Sequence, residues 1–98
     1  MCKLTDIKKI KSLDDIQLVI TQTILEQTVS FTYNQITDKI KSELIKKQAP
    51  IELVDSFKVE DMIRETLFML INRERLNCYN NYYTPISYNY SKNMFVYA

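Results

Sequence analysis

Between residues 59 and 71, hydrophobic positions recur every three or four residues. This spacing places the apolar side chains on one face of an α-helix and leaves the polar side chains on the other. The members of the apolar stripe are Val59, Met62, Ile63, Thr66, Leu67, Leu70 and Ile71. The polar run at residues 72–75 interrupts the pattern, so we predict that the helix ends there.

After this helix the pattern changes to two short extended segments. Residues 76–79 and 82–86 contain aromatic and β-branched residues, which are common in strands. Asn80 and Asn81 separate the two segments, and asparagine tolerates the positive φ angles of a two-residue hairpin turn. The chain has no glycine, so asparagine is the residue best suited to such positions. We therefore predict a β-hairpin over residues 76–86.

Two further helical patterns precede this unit, and the first is apolar on two sides. Ser12 is a suitable N-cap for it. One side consists of Leu13, Ile16, Ile20 and Ile24, and the other of Leu18, Leu25 and Val29. A helix with two apolar faces is either sandwiched within the domain or shared with a partner. Two alternatives follow: both faces pack within the monomer, or Leu18 and Leu25 form a homodimer interface.

The second helical pattern has a clear start signal. Thr32 and Gln35 have the spacing of a capping box, in which each side chain accepts a bond from the backbone of the other residue. The predicted buried face is Tyr33, Ile36, Ile40 and Leu44. Pro50 is expected to end this helix. Residues 48–57 are then a connector, with a short turn or strand at 51–54.

The absence of two residue types limits the functions that the protein can have. The chain has neither histidine nor glycine. Without histidine, the usual general base near neutral pH and the commonest metal ligand are missing. Without glycine, no glycine-rich loop can hold a phosphate. We therefore predict that the protein is not an enzyme and uses no metal or other cofactor.

The sequence favours a cytoplasmic protein without a membrane contact. No apolar run approaches the roughly 18–20 residues that span a bilayer, and the N-terminus lacks the apolar core of a signal peptide. Cys2 and Cys78 are then expected to be free thiols, with Cys78 a small buried hydrophobe. The tyrosines between residues 79 and 97 are expected to fill a strand face, the alternative being stacking on single-stranded bases.

The order helix, helix, helix, hairpin resembles the winged-helix superfamily. The resemblance is carried by residues 63–76 (IRETLFMLINRERL) and 82–85 (YYTP), and it covers residues 13–86. In that superfamily a third helix leads through a basic residue into a hairpin called the wing. The resemblance implies a mainly α fold with a small β-hairpin, namely three helices followed by an antiparallel wing. Many members have glycine just before the first wing strand, where this chain has Glu74 and Arg75.

These patterns divide the chain into three parts. Residues 1–11 are a basic N-terminal lead-in, and residues 12–86 are the predicted winged-helix domain. Residues 87–98 are an aromatic-rich C-terminal extension, interpreted either as a further hairpin or as a tail that packs on a partner.

The resemblance implies a small DNA-binding regulator of transcription. Winged-helix proteins usually place the third helix in the major groove of duplex DNA and the wing on the backbone or minor groove. On the outward face of the third helix, Arg64 suits guanine and Asn72 suits adenine. The remaining predicted DNA contacts are Lys58, Arg73, Arg75, Tyr33, Asn34 and Lys39.

Three carboxylates on the same helix face argue against DNA binding. Glu60, Asp61 and Glu65 repel phosphate, and Phe68 lies among them. An exposed aromatic ring on a polar face suits a protein partner. The alternative hypothesis is an adaptor or inhibitor that uses the winged-helix scaffold to bind a protein through Phe68, without binding DNA.

Overall fold

Helices make up most of the computed structural model, which describes residues 10–86 and the backbone of residues 88–89 and 94–95. In this part of the chain the elements are α1 Leu13–Leu25, β1 Phe31–Thr32, α2 Tyr33–Lys46, α3 Ile51–Val54, α4 Phe57–Asn72, β2 Leu76–Tyr79, β3 Tyr82–Pro85, β4 Tyr88–Asn89 and β5 Met94–Phe95. The first three strands form an antiparallel sheet in the order β1–β3–β2. The predicted combination of a mainly helical fold with a small hairpin is therefore confirmed.

Side-chain caps begin the three long helices. The Asp15 N–H donates to Ser12 Oγ at 3.3 Å at the start of α1. At the start of α2, the Gln35 N–H donates to Thr32 Oγ1 at 3.2 Å, and the Thr32 N–H donates to Gln35 Oε1 at 2.9 Å. These bonds satisfy N–H groups that have no partner within the helix. The predicted capping box is confirmed, and Ser56 caps α4 in the same way as Ser12 caps α1.

The described residues contain four helices instead of the three predicted. The extra one is α3, which occupies the segment expected to be a turn or strand. Pro50 precedes α3 as its N-cap with a φ of −58° and does not end α2, which stops four residues earlier at Lys46. Helix α4 begins at Phe57 because Ser56 caps it, so its first residue lies within the predicted connector.

Helices α2 and α4 end in the same geometry although the chain has no glycine. Each is followed by a residue with positive φ: Gln48 at 61° and Glu74 at 60°. The Gln48 N–H donates to the Ile45 carbonyl, and the Ala49 N–H donates to the Leu44 carbonyl, both at 3.0 Å. This pair of bonds is the Schellman motif, which usually has glycine at the left-handed position. Asparagine is therefore not the only residue that replaces glycine here.

Gln48→Gly is expected to raise the free energy of unfolding by about 1 kcal/mol. The left-handed conformation costs a residue with a Cβ roughly 1–2 kcal/mol of free energy, and glycine avoids this cost. The greater conformational freedom of glycine in the unfolded chain offsets part of the stabilisation. Urea unfolding followed by circular dichroism measures the change. Ser42→Gly, in the exposed interior of α2, is the control and should cost about 0.5–1 kcal/mol. A loss of stability at both positions would contradict the left-handed helix end.

Strands β2 and β3 form the predicted hairpin. Asn80 and Asn81 have φ angles of 51° and 67°, so the predicted turn is confirmed. Strand β1 pairs with β3, opposite to β2, and its Phe31 lies directly across from Tyr83. The two rings stack with centroids 5.7 Å apart and 18° between their planes. This stack attaches the hairpin to the helices, because β1 leads directly into α2.

One hydrophobic core joins the helices to the base of the hairpin. Its members are Ile10, Ile16, Val19, Ile20, Ile24, Phe31, Ile36, Ile40, Leu44, Val54, Val59, Ile63, Leu67, Leu70 and Leu76. The second apolar face of α1 takes no part in it, since Leu18 and Leu25 remain 52% and 45% exposed. Packing of both faces of α1 within the monomer is therefore wrong. None of the described helices combines the length and hydrophobicity needed to cross a membrane.

The two ends of the chain differ in what is described. Ile10 is buried and its N–H donates to the Lys47 carbonyl at 2.9 Å, so the predicted lead-in enters the fold at its last residues. The remainder of the lead-in, residues 1–9, lies outside the described residues. In the predicted C-terminal extension, β4 and β5 pair in antiparallel fashion. The side chains of residues 87–98 lie outside the description.

Candidate interaction surface on helix α4

The outward side of α4 carries two exposed phenylalanines. Phe57 is the first residue of the helix and Phe68 lies three turns later, so both project from the same side. Phe57 is 82% exposed and Phe68 is 66% exposed. A rise of 1.5 Å per residue separates their Cα atoms by about 16 Å. Single exposed apolar residues are ordinary, but two aromatic rings on one helix face, separated by polar residues, suit two separate apolar pockets of a partner.

An ion pair occupies the same face between the two rings. Arg64 Nη2 donates to Asp61 Oδ1 at 2.7 Å, and Arg64 Nη1 donates to the hydroxyl oxygen of Tyr33 on α2 at 3.2 Å. The guanidinium carbon also lies 5.9 Å from the centroid of the Tyr33 ring, within cation–π range. The hydrogen bond to Asp61 raises the pKa of Arg64 above its usual value. We call the strip formed by Phe57, Asp61, Arg64 and Phe68 the α4 surface.

A second polar contact holds α2 against α4. Lys41 Nζ lies 3.5 Å from a carboxylate oxygen of Glu60. Tyr33, Thr37 and Lys41 follow one another at one-turn spacing, so they share the side of α2 that meets α4. Thr37 Oγ1 is buried and has no hydrogen-bond partner among the described residues. The orientation of the α4 surface is therefore set by contacts at both ends of this row.

The residues predicted to bind DNA from α2 lie on different sides of that helix. Tyr33 contacts Arg64, and Asn34 is exposed beside it at the start of α2. Lys39 points to another side, where its Nζ donates to Gln27 Oε1 at 3.2 Å, beyond the end of α1. The fold therefore brings Tyr33 and Arg64 together and directs Lys39 away from them.

The other residues predicted to bind DNA are exposed at the two ends of α4. Lys58 lies in the first turn, Asn72 is the last helical residue and Arg73 is the C-cap. Arg75 follows just before β2. About 22 Å of helix separates Lys58 from Arg73. Residues 10–86 carry eleven Asp and Glu against nine Lys and Arg, whereas the full chain has a formal net charge of +1.

Phe57 is the surface residue that the sequence pattern missed. The apolar stripe starts at Val59, so the sequence placed Phe57 in the connector, and its position on the face of Phe68 was not recognised. Ser56 is a weak sequence signal that the helix starts at Phe57, because serine is a favoured N-cap. The three residues predicted to bind a protein partner, Phe68, Leu18 and Leu25, are all exposed.

The hairpin exposes more of its side chains than the sequence predicted. Tyr83 packs on Phe31, and burial raises its pKa, with smaller contributions from Cys78 and Tyr33. Tyr79 and Tyr82 are exposed because they lie at the hairpin tip on the opposite face, so packing is wrong for these two residues.

Cys78 is a free thiol, as predicted, but it is exposed and not buried. It faces the same side of the sheet as Tyr83 and the buried Leu76, but it lies two residues nearer the turn than Leu76 and so farther from the core at the base of the hairpin. The prediction of a buried cysteine is therefore wrong, because strand periodicity gives the face of a residue and not its distance from the core.

The fold and surface define a mostly helical domain with a three-stranded antiparallel sheet and an exposed, partly apolar helix face. Comparison of the chain with protein-family models, with curated proteins and with solved structures found no match. The functional argument therefore depends on the residues themselves.

Proposed function

We propose that the chain is a protein-binding module on a winged-helix type of scaffold, and that it holds its partner through the α4 surface. The order of α4 followed by the antiparallel β2–β3 hairpin is the observation that favours this type of scaffold. The exposure of Phe57 and Phe68 on one side of α4 is the observation that carries the binding function. Buried aromatic anchors contribute much of the binding energy of protein interfaces, whereas exposed ion pairs contribute little.

The partner that fits this surface is a protein groove with an apolar pocket near each end. Amphipathic helices are commonly recognised in this way, through apolar residues on one face. Phe57 and Phe68 would fill the two pockets, about 16 Å apart. Glu65, exposed beside Arg64, favours a basic group on the rim of the groove.

DNA binding is the second candidate, and the exposed basic residues at both ends of α4 favour it. Lys58 at one end, and Arg73 and Arg75 at the other, suit phosphates on either side of a groove that holds the helix. Arg64 would leave Asp61 to read a base, at little cost because the pair is exposed to solvent. The three carboxylates of α4, Glu60, Asp61 and Glu65, oppose this function because they repel phosphate, so we rank it second.

Affinity capture from the cells that produce this protein tests the first proposal. The tagged chain is compared with a variant carrying Phe57→Ser and Phe68→Ser, and with Val29→Ser as a control. Val29 is similarly exposed but lies between α1 and β1. We expect one protein to be retained by the unaltered chain and by the control, and lost by the double variant. With that protein purified, each single Phe→Ala change should weaken binding about 30-fold. Equal retention by the double variant would contradict the proposal.

A titration with duplex DNA separates the two candidates. Fluorescence anisotropy with a mixed-sequence duplex, at about 50 and 200 mM salt, measures the electrostatic part of any binding. We expect no saturable binding. Binding that falls steeply with salt, and that Lys58→Ala and Arg64→Ala weaken while Phe68→Ser does not, would replace the first proposal with DNA binding.

A further inference from the structure

The outer face of the three-stranded sheet presents two neighbouring tyrosine rings to solvent. Tyr79 and Tyr82 lie directly opposite each other on β2 and β3, so their side chains leave the same face of the sheet. They are 77% and 51% exposed. Residues opposite each other in an antiparallel pair have Cβ atoms about 4.5–5.5 Å apart. The two rings are therefore close enough to form one aromatic surface, which we call the tyrosine pair.

The side chains around the tyrosine pair are polar but uncharged. Asn77 and Thr84 are the next pair along the ladder on the same face, and Thr32 of β1 lies across from Tyr82. The hydroxyl oxygens of Thr84 and Ser30 are 2.8 Å apart, so the segment before β1 borders the same face. None of the residues in β1, β2 and β3 is charged. The outer face of these strands therefore has no carboxylate that would repel phosphate.

A positive charge lies on the same face at the base of the hairpin. The Ile86 N–H donates to the Arg75 carbonyl at 3.0 Å, so the β2–β3 ladder continues one pair beyond the strands. Side chains alternate between the two faces, so the exposed Arg75 shares the face of Tyr79, about 13 Å away along the strand. Arg73 is also exposed, and the two arginines outweigh the carboxylate of Glu74 between them.

We propose that this face binds single-stranded nucleic acid, with a base stacked on each ring of the tyrosine pair and the phosphate backbone running toward Arg75. Proteins that bind single strands combine aromatic rings for the bases with basic groups for the backbone. Unpaired bases are open to such stacking, whereas the bases of a duplex already stack on one another. At one phosphate per roughly 3.4 Å of stacked strand, about four nucleotides span the distance to Arg75.

Two other occupants fit this face less well. The centre of a protein interface is usually apolar, but the neighbours of the tyrosine pair are amides and hydroxyls. A neutral sugar also stacks on aromatic rings, but it offers no counterpart for the charge of Arg75. A single strand uses the rings, the amides and the arginine together, because its bases stack, its base edges form hydrogen bonds and its phosphates are anionic.

Fluorescence anisotropy with a labelled strand of about ten thymidines, at about 50 mM salt, tests the proposal. We expect saturable binding with a dissociation constant below about 100 µM. Tyr79→Ala and Tyr82→Ala should each raise this constant about fivefold or more, because each removes a stacking surface. Tyr79→Phe and Tyr82→Phe keep the rings and should change it by less than about twofold. A duplex of the same length should bind about tenfold more weakly or not at all.

The contribution of Arg75 is measured by the salt dependence of binding. Arg75→Gln should weaken binding and reduce the slope of log K against log salt by about 0.7, the value for one phosphate contact on a single strand. Lys46→Gln removes the same charge from the exposed end of α2 and should leave the slope nearly unchanged. Cys78→Ser is the control for the tyrosines, because Cys78 adjoins Tyr79 but lies on the opposite face of the sheet.

Three results would overturn the proposal. The first is no saturable binding at about 100 µM protein. The second is binding that Tyr79→Ala and Tyr82→Ala leave unchanged. The third is loss of a captured protein partner in these two variants without any binding of the oligonucleotide, which would assign the face to a protein. The α4 surface is tested separately by the Phe57 and Phe68 variants, so failure of one proposal is distinguishable from failure of the other.

Discussion

Phe31→Ala is expected to lower the free energy of unfolding by about 3–5 kcal/mol. The Phe31 side chain is only 4% exposed and belongs to the core, so its removal leaves a cavity that the surrounding side chains fill only in part. It also removes the ring that stacks on Tyr83. The loss is a large fraction of the roughly 5–15 kcal/mol that stabilises a domain of this size.

Urea unfolding followed by circular dichroism measures this loss, and amide hydrogen exchange locates it. We expect faster exchange in β3, because β1 pairs with it and leads directly into α2. Tyr82→Ala is the control: Tyr82 is the neighbour of Tyr83 but lies on the exposed face of β3, so its loss should cost less than about 1 kcal/mol. Similar losses for Phe31→Ala and Tyr82→Ala would show that the aromatic stack does not hold the hairpin.

Leu67→Ala is expected to lower the free energy of unfolding by about 2–5 kcal/mol. Leu67 is buried in the middle of α4, where it packs within the core formed with α1 and α2. Alanine keeps the helix propensity of the position high, so the effect reports lost packing and not lost helix formation. The same urea unfolding experiment measures it.

The adjacent residue provides the control for Leu67→Ala. Phe68→Ala should change the free energy of unfolding by no more than about 0.5 kcal/mol, because surface substitutions rarely do more. Leu67 and Phe68 are adjacent in sequence, but Leu67 lies on the inner face of α4 and Phe68 on the α4 surface. Comparing the two variants therefore distinguishes the roles of the two faces. A large loss for Phe68→Ala would mean that its ring contributes to folding, and the argument for a binding role would lose its basis.

Local sequence features predicted the elements that depend on local interactions. The capping box of Thr32 and Gln35 involves residues within one helical turn, and the Asn80–Asn81 turn depends on the φ preference of asparagine itself. The inner face of α4 follows from its periodicity. In these cases the residues that determine the structure lie within a few positions of one another, so no tertiary contact is needed to recognise it.

The helix boundaries were harder to predict because several local signals compete there. Pro50 is a strong helix terminator, but α2 ends earlier, at the left-handed Gln48. The residues after Pro50 complete one helical turn, since Val54 from that turn is buried in the core. Burial of one apolar side chain thus decides the conformation of a segment whose sequence also suits a turn or strand.

For the α4 surface, the sequence likewise predicted the features that depend on local spacing and not those that depend on tertiary contacts. The sequence placed Arg64 and Phe68 on the outward side of α4, and both are exposed. It gave no sign that Arg64 contacts Tyr33, because those two residues are 31 positions apart. It also did not indicate that Lys39 bonds to Gln27 instead of sharing that surface.

By itself, the sequence determined three long helices, their inner faces, two caps and the hairpin turn, because each depends on spacing and backbone preference within about two turns of chain. The tertiary structure alone decided that β1 joins β3, that Cys78 and Tyr79 are exposed on the hairpin, and that Arg64 is held by Tyr33. These features depend on which segments, distant in sequence, pack against one another. The periodicity of a segment carries no information about its packing partner.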